Sequence, residues 1–204
     1  MGRKLRNFGV AVLSIAAFMT LINVVPPAKS VLDNPFIKGK NEKVMIAAHR
    51  GGADNNPENT LLAYRKAVNE YKVDILESDL YLTKDGYLVY NHDSYVDETC
   101  NINGDISYEE MDNLIDDKSN RHYIEDYTLE ELKAFNFGYY FKDKEGNRPY
   151  KDLTNEEVKE KGLQILEVED LFKEFYETNK GLLFIVEIKN SGERGYEACD
   201  KLAS

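Results

Sequence analysis

The chain has 204 residues, 31% of them charged and 42% hydrophobic, with a net charge of −11. That balance argues against a disordered polymer, and acidity without a clustered basic face argues against a nucleic-acid surface. The length allows one sizeable core but falls short of the roughly 250 residues of a complete eight-stranded α/β barrel.

The first 30 residues are a distinct segment. Arg3, Lys4 and Arg6 precede an apolar run from Phe8 to Val25, closed by Pro26-Pro27 and followed by the small residues Ala28 and Ser30. A basic head, an apolar middle and a small-residue exit predict an export signal. The run, about 18 residues, is also long enough for an uncleaved membrane anchor. Either way the basic flank stays in the cytoplasm, so the domain is expected to be extracellular or held on the outer face of the cytoplasmic membrane. Residues 31–43 read as a polar lead-in.

Val44 to Ala48 is a compact apolar run ending at His49 and predicts a buried strand. Gly51-Gly52, Asn55-Asn56 and Pro57 predict a loop. Thr60, Tyr64, Ala67, Val68 and Tyr71 recur at helical spacing. Asp74 to Leu82 predicts a second strand, Lys84-Asp85-Gly86 a hairpin or tight turn, and Tyr87 to Asn91 a third strand. Residues 94–163 are more polar, and Ser107 with Glu110, Thr128 with Glu131, and Thr154 with Glu157 match capping boxes. This segment reads as a helical insertion, its aromatic stretch Phe135 to Phe141 as packing. Leu166, Leu171, Phe172, Phe175 and Tyr176 predict an amphipathic helix, and Leu182 to Ile188 a fourth strand. The order implies a mostly parallel sheet with helices outside. Four strands, with the sequence stopping at Ser204, predict a truncated product with bare sheet edges. Cys100 and Cys199 carry no metal-site spacing, and whether they pair is left open.

The chemistry-bearing residues fall at strand ends, where a parallel α/β barrel keeps its site. Side chains two apart share a face. Ile75, Glu77 and Asp79 therefore align, as do Leu88, Tyr90 and His92, then Ile185, Glu187 and Lys189, and finally Met45, Ala47 and His49. Each strand is expected to turn an ionisable residue inward at its C-terminal end. Glu77, Asp79 and Glu187 are stable together only if they protonate or share a cation, since like charges at 4 Å repel by about 4 kcal/mol. An oxygen donor set points to Ca²⁺ or Mg²⁺; the competing reading pairs Glu77 and Asp79 with Arg50 and Lys189. His49 and His92 suit acid and base work, and Arg50 and Lys189 suit a phosphate. His122 reads as a surface residue. The combination fits metal-assisted phosphoester chemistry.

HRGG followed by PENT, then ESDLYLTKDGYLVYNHD and VEIK, resembles the glycerophosphodiester phosphodiesterase family over about residues 44 to 190. The resemblance implies a (β/α)8 TIM-like barrel, of which 44–204 would be the N-terminal half of a catalytic domain with the insertion 94–163 after the third strand. It implies hydrolysis of a small-molecule glycerophosphodiester to glycerol 3-phosphate and an alcohol. His49 and His92 would be the acid/base pair, and Glu77, Asp79 and Glu187 would hold one divalent cation, Ca²⁺ or Mg²⁺. Arg50 and Lys189 would contact phosphate. The family's Pro-Thr helix opening is replaced by Leu166-Glu167, which removes a helix cap. Two alternatives are a phospholipase D-like action on a lysolipid or sphingolipid headgroup and a membrane-tethered module, associating through residues 8–25, that binds phosphodiesters without catalysis.

Overall fold

The computed structural model describes residues 2–24 and 44–204. The chain divides into two units, Met1–Lys43 and Val44–Ser204. In the first, helix α1 (Gly2–Val24) contains the basic head and most of the apolar run. Val25, Pro26-Pro27, the small-residue exit and the lead-in 31–43 lie outside the described residues. Among the described residues no helix is long and apolar enough to cross a membrane.

The second unit is α/β. In chain order it contains β1 (Ala47–Ala48), α2 (Leu61–Asn69), β2 (Ile75–Leu82) and β3 (Leu88–Tyr90), then α3 (Tyr108–Asp116), α4 (Leu129–Lys133), α5 (Asn155–Lys161), α6 (Val168–Tyr176), β4 (Leu183–Ile188) and α7 (Gly192–Ala203). Strand β2 organises the sheet. It pairs in parallel with β1, Ala47 opposite Ile75, and with β4, Glu77 opposite Ile185 and Asp79 opposite Glu187. It pairs antiparallel with β3, Leu80 opposite Tyr90.

Two strand expectations are corrected. The first strand is only two residues long, and Val44 and Ile46 are exposed at 81% and 49%. Backbone N–H groups of Asp74 and Ile75 both donate to the Ile46 carbonyl, so this stretch follows the sheet without being buried. The strand after the Asp-Gly turn is antiparallel to β2, as the hairpin signal implies, so it is not the third of four barrel strands. Thr83 N–H donates to the Tyr87 carbonyl at 2.9 Å and Gly86 adopts a φ of +80°. So tight a turn can only return the chain alongside itself. The parallel strands among the described residues are therefore β1, β2 and β4.

Alternation along β2 and β3 feeds two cores. Leu76, Leu80, Leu82, Leu88 and Tyr90 pack with α2, α6 and α7 through Ala67, Leu171, Phe175 and Ala198. Val89, with Tyr81 against it, joins Val96, Cys100, Ile124, Leu132 and Phe137 in a second core. Leu88 and Tyr90 thus face the helices, opposite to the inward direction expected of them. The three capping boxes form at Ser107, Thr128 and Thr154, whereas Glu167 gives α6 no side-chain cap. Tyr176, expected on that helix's buried face, is exposed. Phe137 and Tyr140 of the aromatic stretch are buried packing residues. Both cysteines are free, Cys100 buried and Cys199 exposed, and burial pushes the Cys100 thiol up to about 12.

Candidate active site

The loop after β1 makes a sharp turn in which the His49 carbonyl accepts from Gly52 N–H at 2.8 Å. Arg50, Gly51 and Gly52 all have positive φ. Gly51 has a second reason to be glycine: a Cβ there would lie 2.8 Å from the Ala63 Cβ of α2. This close approach lets the loop lie down on the helix and aims Arg50 at β2. Arg50 N–H donates to Glu77 Oε2 at 3.0 Å. Its guanidinium has Nη1 3.1 Å from Glu58 Oε2 and Nε 3.5 Å from Asp79 Oδ2. The His49 side chain is exposed.

From the other side, Lys189 follows β4 and places Nζ 3.0 Å from both Asp79 Oδ1 and Glu187 Oε2. Burial works to lower the Lys189 pKa, but its hydrogen bonds to Glu187 and Asp79 outweigh that, and the net shift is upward. Asp79 is 2% exposed whereas the Glu187 side chain is 60% exposed. His92 lies just past β3 and is placed by its neighbours. Asn91 N–H donates to the Asp79 carbonyl at 3.1 Å, and the Asn91 amide donates to the Asp93 and Tyr95 carbonyls. His92 Nδ1 is 3.3 Å from Asp93 Oδ1.

The backbone register thus sets Asp79 beside Glu187, with Glu77 two residues back on the same strand. The expected convergence of the three carboxylates on one point is not formed. Among the described residues no three His, Cys, Asp or Glu side chains are grouped so as to hold a metal ion. Each carboxylate has its own partner instead: Lys189 bridges Asp79 and Glu187, the Arg50 guanidinium lies beside Asp79, and the Arg50 backbone N–H donates to Glu77. The donor chemistry and the register nevertheless suit a hard divalent cation. Asp79 Oδ2 is also a buried oxygen with no hydrogen-bond donor, an atom left with unused coordinating capacity.

Three residues escape the motif reading. Glu58, in PENT, grips Arg50; its signal is a carboxylate eight positions from an arginine across a glycine turn. Tyr81 continues the Ile75-Glu77-Asp79 alternation. Burial raises its phenol pKa, while Lys189 opposes and Asp93, Asp79 and Glu187 add to the rise. His122 is not a free surface residue: its Nδ1 is 2.7 Å from Oδ1 of the fully buried Asp97, and its N–H donates to Oδ2. A cleft of about 760 Å³, lined by residues such as Leu61, Lys133, Lys159 and Gln164, shares no residue with the site.

The glycerophosphoryl diester phosphodiesterase family model matches residues 49–203. The chain belongs to this family. It is 38% identical over 102 residues to a glycerophosphodiester phosphodiesterase of Caldanaerobacter subterraneus subsp. tengcongensis, covering 50% of this chain and 34% of that protein. A Bacillus subtilis glycerophosphodiester phosphodiesterase is 30% identical over 142 residues, covering 69% of this chain and 40% of the relative. The chain therefore spans about a third to two fifths of these relatives. Among solved structures, a Silicibacter pomeroyi DSS-3 protein described as a glycerophosphoryl diester phosphodiesterase superposes with a TM-score of 0.58 at 19% identity, over 81% of this chain and 54% of that one. A glycerophosphoryl diester phosphodiesterase domain from Mycobacterium tuberculosis gives 0.51 at 18% identity, over 78% and 48%. These likenesses establish the fold relationship.

Proposed function

We propose that this chain carries the reaction centre of a glycerophosphodiester hydrolase, releasing glycerol 3-phosphate and an alcohol. The observation that carries the reading is the junction at Asp79, which draws Arg50 from the end of β1 and Lys189 from the end of β4 to one carboxylate on β2. Two cations beside a buried acid at the C-terminal ends of parallel strands suit an anionic phosphodiester. In this reading β1, β2 and β4 are the opening strands of a (β/α)8 barrel, and 94–163 is a helical insertion. Residues 1–30 serve export, so the domain works outside the cytoplasm.

Arg50 and Lys189 bind the phosphoryl oxygens and offset charge that builds up in the transition state. The glycerol hydroxyl of the substrate attacks phosphorus, one imidazole takes its proton, and the other protonates the departing alcohol oxygen. Water then opens the cyclic phosphate, with the two proton roles exchanged. His49 and His92 are this pair, His92 being steadied by Asp93. Glu77, Asp79 and Glu187 would hold one divalent cation, Ca²⁺ or Mg²⁺, which when bound supplies further positive charge next to the phosphoryl group.

Incubating the purified chain with glycerophosphocholine and Ca²⁺, Mg²⁺ or Mn²⁺ in turn should release glycerol 3-phosphate, with loss of the product in EDTA. A chain that turns over no glycerophosphodiester with any of the three ions would sink the proposal.

A further inference from the structure

The guanidinium of Arg50 lies between two carboxylates that bind it unequally. Glu58 takes Nη1 through both oxygens, at 3.3 and 3.1 Å. Asp79 Oδ2 lies 3.5 Å from Nε, yet both atoms are buried and neither has a hydrogen-bond partner. A buried carboxylate with an unused oxygen is the stronger competitor for an arginine fork, because the pair would escape water. Left to itself, the fork should rotate and close on Asp79 through two nitrogens. Glu58 is the other carboxylate that the fork meets.

Glu58 can resist because its own position is rigid. The next residue, Asn59, has a φ of +56°. Its N–H donates to the Arg50 carbonyl at 3.0 Å and its Oδ1 accepts from the Tyr64 hydroxyl at 2.8 Å. Thr60 then caps α2 by accepting from Ala63 N–H. The PENT segment is thus tied through Asn59 and Thr60 to the Arg50 backbone and to α2. With Nη1 held by Glu58, Nη2 makes no hydrogen bond among the described residues. We infer that Glu58 is a positioning residue: it keeps the Arg50 fork, whose Nε already lies 3.5 Å from Asp79 Oδ2, from closing fully on that carboxylate, so that the fork stays open to a phosphate. The inference rests on Arg50 as the phosphate contact of the proposed function.

Charge alone predicts the opposite effect, which makes the test decisive. Removing a carboxylate beside a phosphate site should tighten anion binding if Glu58 acts only as a counter-charge. Inorganic phosphate is titrated calorimetrically into the full chain, with Mg²⁺ present, for wild type, Glu58→Gln, Arg50→Ala and the double variant. Glu58→Gln should weaken phosphate binding about tenfold, the scale of one lost charge-assisted contact. The same change should be absent when Glu58→Gln is added to Arg50→Ala, because the effect passes through the arginine. With glycerophosphocholine the loss should fall on KM more than on kcat. Phosphate bound as tightly or more tightly by Glu58→Gln would overturn the inference. So would an equal weakening in the Arg50→Ala background, or a wild type that binds no phosphate. A wild type that binds phosphate in a Glu58-dependent way yet hydrolyses no glycerophosphodiester would sink the enzymatic reading and uphold this one.

Discussion

His92 shows how a single residue is placed by its surroundings. Its backbone is fixed because Asn91 binds the Asp79 carbonyl on one side and the Asp93 and Tyr95 carbonyls on the other. Its ring is half-buried beside Asp93, with Nδ1 3.3 Å from Oδ1. Nothing in the two cores depends on the imidazole. His92→Ala should therefore lower kcat by about 10²- to 10⁴-fold, the usual worth of a positioned proton carrier. Its far-UV circular dichroism and thermal midpoint should match those of wild type. Retained turnover would remove His92 from the acid/base pair. The motif made His92 visible, but not the Asn91 clamp, because backbone hydrogen bonds carry no side-chain pattern in a sequence. His122 illustrates the converse: a polar stretch hides a bond to Asp97 that only the fold brings together across the intervening chain.

Elements were legible where the signal is local. A hydroxyl residue with a glutamate three positions later marks a helix start, and all three such pairs cap helices. The strands were read less well, since alternation does not say whether a strand returns parallel or antiparallel; only the Asp-Gly turn did, through its tightness. Contacts between elements were invisible. Helices α2 and α6 are tied by Arg65, whose Nε and Nη2 donate to the two oxygens of Glu174 at 2.7 and 2.9 Å. The hydrogen bond from Arg65 holds the Glu174 carboxyl below its ordinary range. A carboxylate with a depressed folded-state pKa stabilises the fold above its unfolded value, roughly 4.3, and the gain is lost as pH falls through the folded value. With both side chains partly exposed, solvent screening limits the tie to under about 1 kcal/mol. Urea titrations should show Glu174→Gln less stable than wild type at pH 7, with the gap closing by about pH 3. A gap that stays constant across that window would mean the pair contributes through packing rather than charge.

At the scale of the α/β unit, one face of the sheet is covered by helices, while the other is covered at β2 and β3 by the second core and exposed at Ile185 of β4. Leu76, Leu80, Phe184 and Val186 pack under the helices, while on the alternate positions of β4 Ile185 is 41% exposed. Strand β4 pairs only with β2 among the described residues, so its outer edge presents free backbone donors and acceptors. The sequence hinted at this through strands with apolar residues on both faces, since only a sheet covered on both sides has use for them. An open edge beside a bare isoleucine is a template for pairing with another strand. Burying half of an isoleucine side chain is worth about 1 kcal/mol per copy. The chain should accordingly self-associate, its weight-average sedimentation coefficient rising with concentration. Ile185→Lys puts a charge on that face and should weaken association at least about tenfold, with circular dichroism unchanged because the side chain lies outside both cores. Should the wild-type chain sediment as a monomer at every concentration, or the lysine variant associate equally well, the exposed face is not what the chain uses to meet another strand.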